Sequence, residues 1–555
     1  MDKEGTLTCV DGVYSNIADP YRPESALKVG NNINQYPRNV WTNAISGWSK
    51  QRETAFNSGA ECYGFSTFVD LDGAQYLLCQ WGDTLYHYDL NTATAVSVKT
   101  GLSLNTSLPL KAIPCMRMYV PYAANDPYMI YTNGVETLKI VRTGGAFVVT
   151  DFQQNAADFG TVALGANLAA KTTAKPRFNE PFLDRMVFAG FEGQAAFDVL
   201  LTNSGDATIA TQGAPILATD AGLFQLEPQL GRVTAVRRFK LSNTSNDQIV
   251  NIGQQRGTSI ITGNDATDLK CITVTDEYGI PSNNCFVQIG SNVWFLASDG
   301  VRKFKTLVEN ANLINQSITY PVQDLAYRFN ETQLYKAHAV HHKLYQEVQF
   351  WFPVDSDTVP SNAFLLSYNN DSDPADLKAQ IFTKDGTTCL ASIYFDKVFY
   401  GGNESGFLQK WHTGNLYDTM PVTSDMVFAD LSNGNTDIGL QKLTIKTYGG
   451  GQKFIANASY LARGYDDSQQ LTMFKYDCEP ADYQLGSSVD GGTVLGSWSL
   501  GNSAMPSEHM REHDYYPIVA GARSIQPSLR CNASDHRLDF MSADYTLEIG
   551  EAKNA

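Results

Sequence analysis

The stretch from Cys271 to Lys305, CITVTDEYGIPSNNCFVQIGSNVWFLASDGVRKFK, constrains the fold more tightly than any other part of the chain. Ile272 and Val274 alternate with Thr273 and Thr275, a Gly-Ile-Pro-Ser-Asn-Asn turn follows, and Phe286, Val287 and Ile289 return to a strand pattern. Gly290-Ser291-Asn292 turns into Val293 to Leu296, and Asp299-Gly300 closes a tight hairpin onto Val301 to Phe304. The pattern predicts one short antiparallel sheet. Such a sheet cannot bury both of its faces alone, so it needs neighbours of the same kind.

Those neighbours are legible on either side. Gln75 to Gln80, the turn Trp81-Gly82-Asp83 and Thr84 to Leu90 read as a hairpin, as do Tyr128 to Thr132, Asn133-Gly134 and Val135 to Val141. Arg185 to Ala189 with Ala195 to Leu201, and Gln248 to Ile252 with Ser259 to Thr262, give two more. Leu344 to Phe352 with Phe364 to Tyr368, and Lys397 to Tyr400 with Phe407 to Trp411, follow the opening stretch. Turn glycines or their equivalents recur about every 43 to 65 residues, the signature of radial β repeats. A mainly β chain is therefore expected, with a β-propeller of about six to eight blades over residues 58–415; stacked β-sandwiches are the alternative. Two interruptions are expected, an Ala/Gly/Thr-rich loop at 156–178 and a helix at 313–330. In the latter Pro321 suits a first turn, and Val322, Leu325, Ala326 and Phe329 share one face. Residues 1–57 are rich in large rings with little periodicity and read as an N-terminal arm or docking segment. Residues 416–555 carry longer alternating strands and read as an antiparallel, β-sandwich-like C-terminal domain.

Length and charge narrow the function. At 555 residues the length alone suggests about three or four domains, with a propeller counting as one large one. The formal charge, 41 cations minus 58 carboxylates, is −17, which argues against a protein that grips nucleic acid but allows DNA to pass without sticking. Nine cysteines without a C-x-x-C pair fit free thiols made in a reducing compartment. The first residues carry no apolar signal region, and no run approaches a membrane span, so a soluble protein is expected.

The sharpest catalytic string is His509-Met-Arg-Glu512-His513, an H-x-x-E-H pattern that would hold zinc only on a helix. Chance is the favoured origin of this string. His338, His341 and His342 cluster in a strand that would place His338 and His342 on one face, with no third ligand evident. Asn369, Asn370, Asp371, Asp373 and Asp376 are oxygen-rich but lack the Gly and distal Glu of an EF-hand, and read as a solvated hairpin tip. No G-x-S-x-G, phosphate-binding Gly-rich loop or Cys-His pair of recognisable spacing occurs. Neither catalytic residues, metal ligands nor a cofactor are expected, although paired carboxylates that meet only in space stay possible.

Several patterns, taken in order, resemble the tail nozzle proteins of short-tailed bacteriophages, also called tail tubular protein B or packaged-DNA stabilisation proteins. They are Asn39 to Phe56, Tyr131-Thr-Asn-Gly134, Asp184 to Gly190 leading to Thr202 to Asp206, Thr275 to Phe304, Ser317 to Phe329 and Phe399 to Trp411. The resemblance spans about 40–415. It implies a virion protein, made in the host bacterial cytoplasm, that forms a homo-oligomeric ring, a hexamer, in the viral tail below the portal and adaptor. Such a ring retains packaged double-stranded DNA, passes it during ejection without specific binding, and docks fibre or needle proteins. Constriction loops would then be sought at Asn370, Asp371, Asp373 and Asp376 and at the tips carrying Asn133 and Asp299. Two other classes stand beside it: a glycan-binding or glycan-degrading propeller of the tail depolymerase kind, and a cellular peptide-binding propeller scaffold.

Overall fold

The computed structural model describes residues 2–9, 11–16, 25–34, 42–104, 113–121, 126–152, 175–191, 196–207, 217–240, 248–290, 292–304, 314–368, 379–413, 416–432, 437–448, 453–462, 469–477, 510–515, 519–531 and 539–549. Nearly all regular structure among them is antiparallel strand. Five separate four-stranded sheets follow one another, within residues 62–99, 115–151, 178–225, 233–275 and 286–317, each built of strands adjacent in sequence. Residues 338–384 form four more such strands, and 391–411 a further three. The arrangement is all-β and propeller-like.

Tight turns set each register. Gly82-Asp83 joins Trp81 to its partner Thr84, with Gly82 at a φ of 55° that favours glycine. Ser298-Asp299 joins Ala297 to Gly300, so the hairpin read at Asp299-Gly300 is present. In the opening stretch the expectation of a single sheet fails in an instructive way. Lys270–Thr275 is the last strand of one sheet, pairing Thr258–Thr262, whereas Phe286–Ile289 is the first strand of the next. The Tyr-Gly-Ile-Pro turn between them is a crossover from sheet to sheet. There Ile280 is fully buried and Gly279 lies so close to the Gln255 carbonyl that a Cβ would approach its oxygen to 2.0 Å. Alternation followed by a turn looks the same whether the chain folds back or moves on.

The helix expected at 313–330 is also corrected. Ile314–Ser317 is a strand, completing the fifth sheet beside Gly300–Phe304, and helical backbone is limited to the turns Tyr320–Val322 and Gln323–Ala326. Val322, Leu325, Ala326 and Phe329 do share a buried face, but one turn is enough to seat them. Most of the loop expected at 156–178 lies outside the described residues.

The first strands of the sheets line one another. Cys62–Val69 packs on Cys115–Tyr119, that on Phe178–Phe182, and that on Val233–Lys240. Val233–Lys240 meets Phe286–Ile289 through Phe239 against Phe286 and through Gln288 Nε2, which donates to the Lys240 carbonyl at 2.8 Å. His338–His342 and Ala391–Phe395 follow, and the latter packs back on Cys62–Val69.

The N-terminal residues are woven into this body. Trp48–Lys50 pairs with Leu408–Trp411 and supplies the fourth strand beside 391–411, with Trp48 opposite Trp411. Leu27–Asn31 bridges the sheet of 338–384 to Ser424–Phe428, which continues through Val519–Cys531 and Ile438–Tyr448 to Asp539–Ile549. Asp2–Leu7 pairs with Asp539–Ile549, and Gly5 sits where a Cβ would strike the Tyr545 ring. In that long strand Ala543, Tyr545 and Leu547 are buried while Ser542, Asp544 and Thr546 are less so, the alternation of a half-buried strand. A hydrophobic core runs from Leu7 and Leu27 through Trp294, Trp351 and Trp411 to Ile445, Leu529 and Leu547.

Polar groups fasten the same junction. Asn34 Nδ2 donates to Glu347 Oε2 at 2.5 Å, and Gln349, itself held by the Trp351 indole N–H, donates to the other oxygen. The Lys384 ammonium lies 3.6 Å from the centre of the Trp411 ring. Burial pushes the Lys384 pKa down to about 7, against the pull of Glu347, and burial raises that of Glu347.

The seating of Trp48–Lys50 is sterically exacting, because a Cβ on Gly47 would stand 1.8 Å from the Leu416 carbonyl oxygen. Gly47→Ala is expected to cost on the order of 3 kcal/mol, measured by urea denaturation. A variant as stable as the parent would show that this strand is not held as described.

Candidate functional site

The first strands of the sheets border a concave channel. Its cavity has a volume of about 430 Å³ and takes residues from six of those strands, including Ser66, Arg117, Arg237, Gln288, His341 and Ser392, with Lys343 beside them. Among the described residues no carboxylate belongs to this lining, in a chain whose formal charge is −17.

Adjacent strands place the charges. Arg117 is the central residue of Cys115–Tyr119, Glu180 of Phe178–Phe182, and Arg237 lies in Val233–Lys240. Arg117 Nε donates to Glu180 Oε2 at 2.7 Å, and Arg237 Nη1 stands 3.7 Å from the same oxygen. Arg117 Nη1 donates to the Met116 carbonyl at 3.0 Å, leaving Nη2 buried without a hydrogen-bond partner. Burial, then the like charge of Arg117, lowers the Arg237 pKa to about 10. One carboxylate thus faces two guanidinium groups.

Neutral polar groups staple the surrounding strands. Asn179 Nδ2 donates to the Cys115 carbonyl at 3.1 Å and to Thr132 Oγ1 at 2.8 Å. Asn283 Oδ1 accepts from the Val236 N–H at 2.7 Å, and its Nδ2 donates to Cys115 Sγ at 3.3 Å. These bonds tie three sheets and the crossover carrying Asn283 together around the charges.

The histidines form one wall. His338–His342 is a strand, as read, with His338 and His342 both buried. His338 stacks on Trp351, His341 Nε2 lies 2.5 Å from the Tyr368 hydroxyl, and His342 packs against Tyr345, Tyr394 and His412. Burial lowers all three pKa values to about 4, assisted at His341 by the charge of Lys343. They are neutral rings in an aromatic setting. Among the described residues no group of three His, Cys, Asp or Glu side chains could hold a metal ion.

Other sequence candidates fall elsewhere. Asn133 is buried in its own turn, where Oδ1 accepts from the Val135 and Glu136 N–H groups and Nδ2 donates to the Ser103 carbonyl. Asp299 is held by Arg302, whose guanidinium lies 3.3 Å from the centre of the Tyr278 ring. Asn133 belongs to the second sheet and Asp299 to the fifth, and neither lines the channel cavity. Asn370, Asp371, Asp373 and Asp376 lie outside the described residues, as does His509. Glu512 and His513 sit in the strand Met510–Tyr515, opposite Lys446 and Ile445, so the helix that zinc chemistry requires is not formed there. Arg117, Glu180 and Arg237 were not singled out from sequence. The available signal was a charge amid apolar strand residues, as in Cys-Met-Arg-Met-Tyr, but their sequence separation of about 60 residues hides their meeting.

Comparisons with known proteins give little beyond this geometry. No family model matches the chain, and no curated protein matches it. Among solved structures it is similar to Kluyveromyces lactis Hsv2, at 12% identity and a TM-score of 0.30, over 56% of this chain and 83% of that one.

Two outcomes are expected. Glu180→Gln leaves two guanidinium groups facing each other in a largely buried site and should cost about 3 kcal/mol in urea denaturation; an unchanged midpoint would remove Glu180 as their counter-charge. The histidines give a pH dependence whose sign follows from their depressed pKa values. Above pH 6.5 both folded and unfolded chains hold them neutral, but between about 6.5 and 4 only the unfolded chain takes up protons. Stability therefore falls as pH falls through that window, with buried His338 contributing at most about 1.4 kcal/mol per pH unit. Comparing denaturation midpoints of parent and His338→Gln at pH 7 and 5 checks this, the variant showing the shallower loss.

Proposed function

We propose that this chain is a structural component of a short-tailed phage tail, the nozzle subunit, whose core is a seven-bladed propeller closed by the N-terminal strand Trp48–Lys50. The supporting observation is where the resembling stretches fall. Tyr131–Gly134, Asp184–Gly190 and Phe399–Trp411 each lie on a hairpin of a different sheet, and Thr275–Phe304 contains the crossover between two more. The stretch Asn39–Phe56, the most N-terminal of the set, contains the strand that pairs with Leu408–Trp411. The pattern of resemblance thus runs with the sheet repeat and includes its join.

In this reading the propeller is a rigid spacer and its work is mechanical. The long strands 438–549, read as the sandwich-like C-terminal domain, and the N-terminal segment paired with them would present docking surfaces to ring neighbours, adaptor and fibre or needle proteins. A subunit with a formal charge of −17, repeated around a bore, repels duplex phosphates and lets DNA slide. The gate would then be steric.

Negative-stain imaging of the purified protein mixed with its portal-side adaptor should show rings with a central hole. Monomers that never join the adaptor would overturn the reading. The same protein should leave duplex DNA unretarded in gels at physiological salt.

A further inference from the structure

The channel cavity has a charge balance that the mechanical reading does not use. Arg117, Arg237 and Lys343 line or border one space of about 430 Å³ that includes no carboxylate among the described residues, and Glu180 is the carboxylate paired with the two arginines. Three cations against one anion leave a formal excess of two positive charges. Glu180 Oε2 is already the acceptor for Arg117 Nε, so Arg117 contributes its charge to the space. Arg237 is held only loosely at 3.7 Å, and its side chain keeps 34% of its surface exposed, so a solute can reach it. Around the cations stand neutral donors and acceptors, among them Ser66, Asn284, Gln288 and Ser392, and the face of Tyr394. Arginine forks with a lysine nearby, in a space larger than one oxyanion needs, suit a phosphate carrying a small polar group.

We infer that this channel is a binding site for a small phosphomonoester, whose phosphate takes the donors of Arg237 and the charges of Arg117 and Lys343, and whose organic part lies among the neutral polar residues. A phosphomonoester carries a charge of roughly −1.5 to −2 at neutral pH, which matches the formal excess. The inference is independent of the nozzle reading, since it needs only the closed set of first strands, and it assigns no reaction.

The test is titration calorimetry on the full chain with inorganic phosphate and with a hexose phosphate, against sodium chloride at matched ionic strength. Saturable binding of the hexose phosphate, stronger than that of inorganic phosphate, is the expected result. Equal affinity for the two would overturn the assignment of a phosphomonoester, since the organic part would then make no contact. Arg237→Gln should weaken binding by roughly tenfold, the worth of one charged hydrogen bond, and Lys343→Gln by about threefold, as a looser charge contact. Lys343 is exposed and provides the readout if the arginine variant does not fold, as judged by circular dichroism. Heats no greater than those from chloride, or an affinity unchanged in both folded variants, would overturn the site. Ring formation is measured separately, so failure here and failure of the nozzle reading are distinguishable.

Discussion

The structure depends on the pairing of Trp48–Lys50 with Leu408–Trp411. A succession of small twisted sheets leaves two unpaired edges and two half-covered faces at its ends, and only joining the last sheet to the first removes them. Here the sheet of 391–411 is completed by hydrogen bonds from a strand more than 350 residues away in sequence, so it cannot be completed until the intervening chain is in place. The ring packing of Trp48, Trp411, Trp351 and Phe399 makes that seam a hydrophobic event as well. The same N-terminal segment then continues into the long sheet of the C-terminal strands, so propeller-like body and tail share one core.

Lining up the first strands of successive sheets also creates an interior that apolar residues cannot fill alone. First strands converge there, and their neighbours' backbone groups need partners. Asn179 and Asn283 serve that need with short neutral side chains. Arg117, Glu180 and Arg237 add charge where charge is costly, and an ion pair in such a place is weak support for stability. An unequal set, with two guanidinium groups to one carboxylate, is harder still to account for as packing. That imbalance is why the channel, in a chain of net negative charge, is the part of the molecule with chemistry left to assign.

Much of the repeat was readable because hairpins are local. Gly82-Asp83, Asn133-Gly134 and Asp299-Gly300 mark turns whose backbone demands are written in two or three residues. The errors share one cause. Thr275 to Phe286 was read as a turn within a sheet because a crossover uses the same Gly and Pro as a hairpin. The apolar face of Val322 to Phe329 was extended into a full helix, although the preceding Ile314–Ser317 was drawn into a sheet edge that needed a fourth strand. In both cases a neighbouring sheet outweighed a local preference.

The amino-acid sequence by itself determined most of the hairpins, the recurrence of small sheets and the excess of acid, since each rests on residues within a few positions of one another or on a sum over all of them. Tertiary structure alone decided that residues 48–50 seal the last sheet, and that Arg117, Glu180 and Arg237 stand around one axis. Those facts belong to partners separated by about 60 to 360 residues, and a pairing of that kind has no local signature. It exists only where closure brings distant strands to the same line.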